Sequence, residues 1–142
     1  MTVAPPTGVL MTVETDGSLL CTLTHGPSGV HIQTDAPRDN GGQGSAFSPT
    51  DLTAVSLASC MLTTMALAAT RERIAWGPAS ARVEKRMTPP PRRIGELVMA
   101  LTMPRELPAE QRAHFEDVAR GCPVSRSLHP ETRVTLSFEY PV

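Results

Sequence analysis

Residues 48–74 read SPTDLTAVSLASCMLTTMALAATRERI, and this stretch decides the fold. Ser48 suits an N-cap and Pro49 the first helical position, while Asp51 falls in the first turn, where the helix dipole favours an anion. Arg71 and Arg73 stand at the other end, where it favours cations. These signals predict a helix from about Pro49 to Ile74, stopped by Trp76-Gly77-Pro78. From Leu52 to Thr70 the stretch carries no charge. A helix apolar on nearly all sides is buried in protein or lies in a membrane. Its length just reaches a membrane span, but six Ser and Thr residues interrupt it (Thr53, Ser56, Ser59, Thr63, Thr64 and Thr70) and no other segment is comparable. The expectation is a central helix covered by sheet and by a second subunit.

The chain on either side reads as strands. Val9 to Glu14 and Leu19 to Thr24 flank Asp16-Gly17, a hairpin turn signal. A second turn, His25 to Gly29, leads to a strand from Val30 to Thr34. Asp35 to Ser48 is Gly-rich and aperiodic, a loop whose glycines let backbone approach a ligand or partner closely. After the helix, Ala79 to Thr88 and Ile94 to Met103 read as paired strands around Pro89-Pro90-Pro91. An amphipathic helix opens near Pro108, carries Phe115, Val118 and Ala119 at helical spacing, and stops at Gly121. A short helix begins after Cys122, and Arg133 to Tyr140 closes as a strand. The result is an α+β chain, one domain over 1–142, with residues 1–8 expected to fray.

Composition narrows the function classes. The 142 residues are 40% hydrophobic, 19% charged and only 4% aromatic, so the core is aliphatic and rich in Met. Net charge is −1. The short cationic runs Arg71–Arg73, Arg82–Arg86 and Arg92–Arg93 read as solvated faces, and no basic patch marks a nucleic-acid partner. No membrane partner is expected either. Residues 1–8 hold no signal-peptide pattern, which sets a cytoplasmic expectation. Three cysteines, with no CxxC pair, fit neither a disulfide scaffold nor a structural zinc site. The four scattered histidines match no metal-site spacing, so no metal is expected.

Cys60 sits mid-helix among small residues, either a buried small hydrophobe or a thiol awaiting a thiolate-stabilising group. Cys122, between Gly121 and Pro123, falls at a helix N-cap. It is either a capping residue or a thiol whose pKa the helix N-terminus lowers. Cys21, in a strand, has no assigned role.

Pro49, then Leu52, then Cys60 eight positions later resembles the central helix of the OsmC/Ohr family. The segment from Leu107 to Gly121-Cys122-Pro123-Val124-Ser125-Arg126-Ser127-Leu128 resembles its second-cysteine region. The Gly41-Gly42 loop and Arg92-Arg93-Ile94 fit as well. The resemblance spans about Thr34 to Tyr140. It implies antiparallel sheets around a long apolar helix, in an intertwined homodimer with active sites at the interface. It implies reduction of organic hydroperoxides: Cys60 is oxidised to a sulfenate and Cys122 resolves it as a disulfide. No bound cofactor is needed; an external dithiol, lipoyl-type by resemblance, or another protein or small thiol, restores the pair. The chain is similar to an OsmC-like branch that lacks the usual Glu after the helix-starting Pro, since Thr50 stands there. The family's hairpin Arg has no counterpart in Met1–Pro37. Arg38 and Arg126 are the candidates for activating the thiol, with surface arginines as the plainer alternative. Thr50 and Asp51 mark the helix start beside the site. These departures leave a second reading, a non-catalytic protein binding a small apolar ligand in the same cleft. A third, a thiol hydrolase, needs a histidine base that no motif supplies.

Overall fold

The computed structural model describes residues 2–4 and 8–142. The expected fraying of residues 1–8 falls in part outside the described residues. The chain divides into two compact units, 1–50 and 51–142.

The first unit is a meander of β1 (Met11–Glu14), β2 (Cys21–His25) and β3 (His31–Thr34), all antiparallel neighbours. At the first turn Gly17 takes φ +100°, and Asp16 Oδ1 accepts the Ser18 N–H at 2.9 Å. The apolar residues Met11, Val13 and Ile32 are exposed in these strands. The Gly-rich loop does approach backbone closely, but the backbone is its own. A Cβ on Gly42 would lie 1.8 Å from the Ala36 carbonyl oxygen. Gly42 N–H donates to the Pro37 carbonyl at 3.0 Å, and the Asp35 carboxylate holds both N–H and hydroxyl of Ser45 at 3.0 and 2.7 Å. At Gly42, therefore, the close approach is to the chain's own backbone.

Helix α1 (Pro49–Glu72) starts where the sequence places it. Its end differs. Arg73 adopts φ 55°, Ile74 N–H donates to the Ala69 carbonyl at 2.9 Å, and Arg73 N–H faces the Thr70 carbonyl at 3.4 Å. This is the double bond pattern that closes helices, with an arginine where glycine is usual. The helix therefore stops at Glu72, before Trp76-Gly77-Pro78 is reached.

The second unit packs α1 on a sheet ordered β4 (Ser80–Met87), β5 (Ile94–Thr102) and β6 (Arg133–Glu139). β4 pairs antiparallel with β5 as expected; β6 runs parallel to β5. A parallel neighbour needs a crossover, and residues 103–132 supply it with α2 (Arg112–Arg120) and α3 (Pro123–Ser127). Alternation along β5 turns Leu97, Met99 and Leu101 to the core. They meet Ala54, Leu57, Ala58, Met61, Met65 and Ala69, a single stripe along α1. The rest of α1 is less covered than an all-round apolar helix predicts: Val55 is 38% and Leu67 48% exposed. α1 is long and apolar enough to cross a membrane, yet its stripe is part of this core. α2 adds Phe115 and Ala119, with the Phe115 ring stacked on Trp76 at 5.3 Å between centroids.

Asp51 in the first turn of α1 is tied to Lys85 of β4, Oδ1 to Nζ 2.7 Å. The aspartate is 39% exposed and the lysine 14%. Asp51→Asn removes an ion pair and an anion at a helix start, together worth about 1 kcal/mol. Urea unfolding at fixed protein concentration should show a lower midpoint with an unchanged slope, and the difference should shrink in high salt.

Candidate active site

Cys60 lies midway along α1 on its half-buried flank. Cys122 lies at the N-cap of α3, fully buried, where Gly121 ends α2 and Pro123 opens the next helix. The crossover brings the two thiols close enough for each to shift the other's pKa.

The first turn of α3 shows how the pair is held. Pro123 has no N–H. Val124 N–H acts on both sulfurs, Ser125 N–H donates to Cys122 Sγ at 3.4 Å, and Arg126 N–H donates to the Cys122 carbonyl at 3.2 Å. Ser125 N–H, one of the donors a helix leaves open at its start, is thus taken up by the Cys122 sulfur.

The two thiols respond oppositely. Burial acts most strongly on Cys60 and raises its pKa. The Val124 N–H, Cys122 and the Thr64 hydroxyl together outweigh burial, so the Cys60 thiol ends below its usual value. Burial also acts most strongly on Cys122, and the neighbouring Cys60 adds to it. The Ser125 and Val124 amides only partly offset this, so Cys122 is pushed up. This reverses the expectation that the N-cap lowers the Cys122 pKa. The cap geometry is as expected, but a fully buried sulfur beside a second sulfur loses more by desolvation than the amides return.

The other candidates are placed as follows. Arg126 is exposed and donates its Nε to the Gly121 carbonyl at 3.0 Å. It is not among the groups acting on Cys60. Arg38 belongs to the first unit, in a 3₁₀ turn, with its Nε on the Gln43 carbonyl at 3.0 Å. Thr50 Oγ1 lies 3.2 Å from Ser48 Oγ at the start of α1, and Asp51 holds Lys85. In the second unit His114 pairs with Glu72 at 2.9 Å, and His129 Nδ1 accepts the Glu131 N–H at 3.0 Å; neither is among the groups acting on Cys60. Among the described residues no three His, Cys, Asp or Glu side chains are grouped to hold a metal ion.

Sequence reading did not single out Thr64 or the Val124 amide. Thr64 was findable from its i, i+4 spacing to Cys60. The amide was not, because it depends on how the crossover returns.

The OsmC-like protein family model matches residues 42–137. Among solved structures, an osmotic stress induced and detoxification response protein from Psychrobacter arcticus 273-4 is 38% identical. That match covers 98% of this chain and all of the other, at TM-score 0.85. The organic hydroperoxide resistance protein OsmC of Legionella pneumophila shares the fold at 21% identity, covering 96% and 99% of the two chains at TM-score 0.71. OhrB of Bacillus subtilis, also an organic hydroperoxide resistance protein, does so at 17% identity, 94% and 98% coverage and TM-score 0.68. A search of curated proteins finds no match. With the family model spanning most of its length, around both cysteines, the chain belongs to the OsmC-like family, within the OsmC/Ohr group.

Proposed function

We propose that the protein reduces organic hydroperoxides with Cys60 as the attacking thiolate and Cys122 as the resolving thiol. The observation that carries this reading is a pair of cysteines that act on each other's titration, with Cys60 held below its usual pKa and Cys122 pushed above it. The half-buried sulfur is the one inclined to be a thiolate, and the buried one keeps its proton. The Cys60 thiolate attacks the distal peroxide oxygen and the O–O bond breaks. Cys60 becomes a sulfenic acid, and the alkoxide takes a proton and leaves as an alcohol. The Cys122 sulfur then attacks the Cys60 sulfur, the S–O bond breaks, and water departs with the Cys122 proton. A dithiol, lipoyl-type by resemblance, reopens the disulfide by exchange and is itself oxidised. No step requires a metal or bound cofactor.

In this reading the working form is a homodimer in the cytoplasm. The exposed apolar residues Val55 and Leu67 of α1 and Met11, Val13 and Ile32 of the meander support a second copy as their cover. Arg38, from either subunit, is proposed to supplement the donors on Cys60, and Arg126 to brace the Gly121-Cys122 link through the Gly121 carbonyl.

The test is intact mass after one equivalent of an alkyl hydroperoxide, with free thiols blocked afterwards. The expected result is loss of two hydrogens, mapped to a Cys60–Cys122 bridge, with one equivalent of alcohol formed. Cys60 and Cys122 both still free and blockable would overturn the reading and favour the binding function.

A further inference from the structure

Three of the hydroxyls along α1 share a habit that Thr64 does not follow. Ser56 Oγ donates to the Thr53 carbonyl at 2.7 Å, Thr63 Oγ1 to the Ser59 carbonyl at 2.9 Å, and Thr70 Oγ1 to the Ala66 carbonyl at 3.0 Å. Such bonding back to the preceding turn is the ordinary fate of Ser and Thr inside a helix. Thr64 Oγ1 instead lies 3.9 Å from Cys60 Sγ. Its natural acceptor, the Cys60 carbonyl, already receives the Thr63 hydroxyl at 3.2 Å. The i, i+4 spacing sets both side chains on one face, and both are half-buried.

Toward a thiol the hydroxyl can donate or accept. Toward a thiolate it can only donate, so the contact favours the charged form. The other donors come from α3 across the crossover, and Thr64 alone among them rides on the same helix as Cys60.

We infer that Thr64 is a positioning residue for the Cys60 nucleophile, its hydroxyl donating to the sulfur from one helical turn away and favouring the thiolate. The inference rests on Cys60 being the attacking sulfur. Thr64 touches no substrate in this role; it acts through the sulfur.

The experiment is the rate of iodoacetamide alkylation at Cys60 against pH. It is read peptide by peptide in the mass spectrometer, for the parent protein, Thr64→Val and Thr64→Ser. Valine keeps the shape and removes the donor; serine keeps the donor. Thr64→Val should slow alkylation at neutral pH about fivefold. Its plateau at high pH should be undiminished, because a more basic thiolate is no weaker a nucleophile. The midpoint of its profile should move upward. Thr64→Ser should keep the parent midpoint. Peroxide consumption at neutral pH should follow the same order. A Thr64→Val profile superimposable on the parent would overturn the inference, as would a Thr64→Ser profile displaced as far as Thr64→Val. Alkylation requires no peroxide, so it separates the two ideas. A Cys60 that never oxidises but whose profile follows the hydroxyl refutes the peroxidase reading and leaves the Thr64–sulfur interaction standing.

Discussion

Cys60→Ser should reduce hydroperoxide consumption to background, a loss of roughly a thousandfold or more, since a serine hydroxyl has no accessible anion at neutral pH. Cys122→Ser should behave differently. It should consume one equivalent and stop, leaving a sulfenic acid at Cys60 that a carbon-acid reagent can trap. The structure makes this second variant a clean one. Serine is a favoured N-cap, so the start of α3 keeps its acceptor. The order of events follows from the opposite displacement of the two pKa values. Stopped-flow peroxide assays with both variants check it. If Cys122→Ser were dead and Cys60→Ser turned over once, the roles would be exchanged. Normal turnover by Cys60→Ser would end the thiol peroxidase reading.

Phe115→Ala should be the most damaging substitution away from the sulfurs, costing about 3–5 kcal/mol. Phe115 is fully buried, stacked on Trp76, and meets the His114 ring edge-on at 5.2 Å. α2 buries only one other residue, Ala119. Phe115 therefore holds α2 to the core, and α2 leads directly into Gly121 and Cys122. Against a total stability of about 5–15 kcal/mol, this loss is a large share. Urea unfolding should show it, with Phe115→Leu losing far less. Peroxide-driven bridging should weaken in parallel, because Cys122 rides on the end of α2. A cost under about 1 kcal/mol would mean that α2 is anchored by something else.

The start of α1 was legible because its signals are local: a capping serine, a proline that needs no N–H, an aspartate at the positive end. Its end was not, because a left-handed arginine carries no mark in sequence; glycine is the residue that announces that conformation. Val134, Leu136 and Phe138 alternate clearly enough to read β6 as a strand, but alternation is the same in either direction. Only the length of the crossover makes it parallel. Cys122 as a cap could be read from Gly121 and Pro123. Its raised pKa could not, since burial is a property of the assembled core. Nothing local brings Cys60 to Cys122, and their pairing came from family resemblance alone until the crossover placed them together.

The core was expected to be rich in methionine, and Met61, Met65, Met99 and Met103 are all buried in it. Thioethers suit an aliphatic core short of aromatics because they adapt to irregular space. They are also oxidisable, and a sulfoxide is polar enough to disrupt the packing around it. On the proposed function, these oxidisable sulfurs are kept buried in the core against which Cys60 packs. In that reading Cys60 would be a sentry as well as a catalyst: each peroxide it destroyed would be one that could not convert a core methionine and unpack the scaffold that holds the thiol in place.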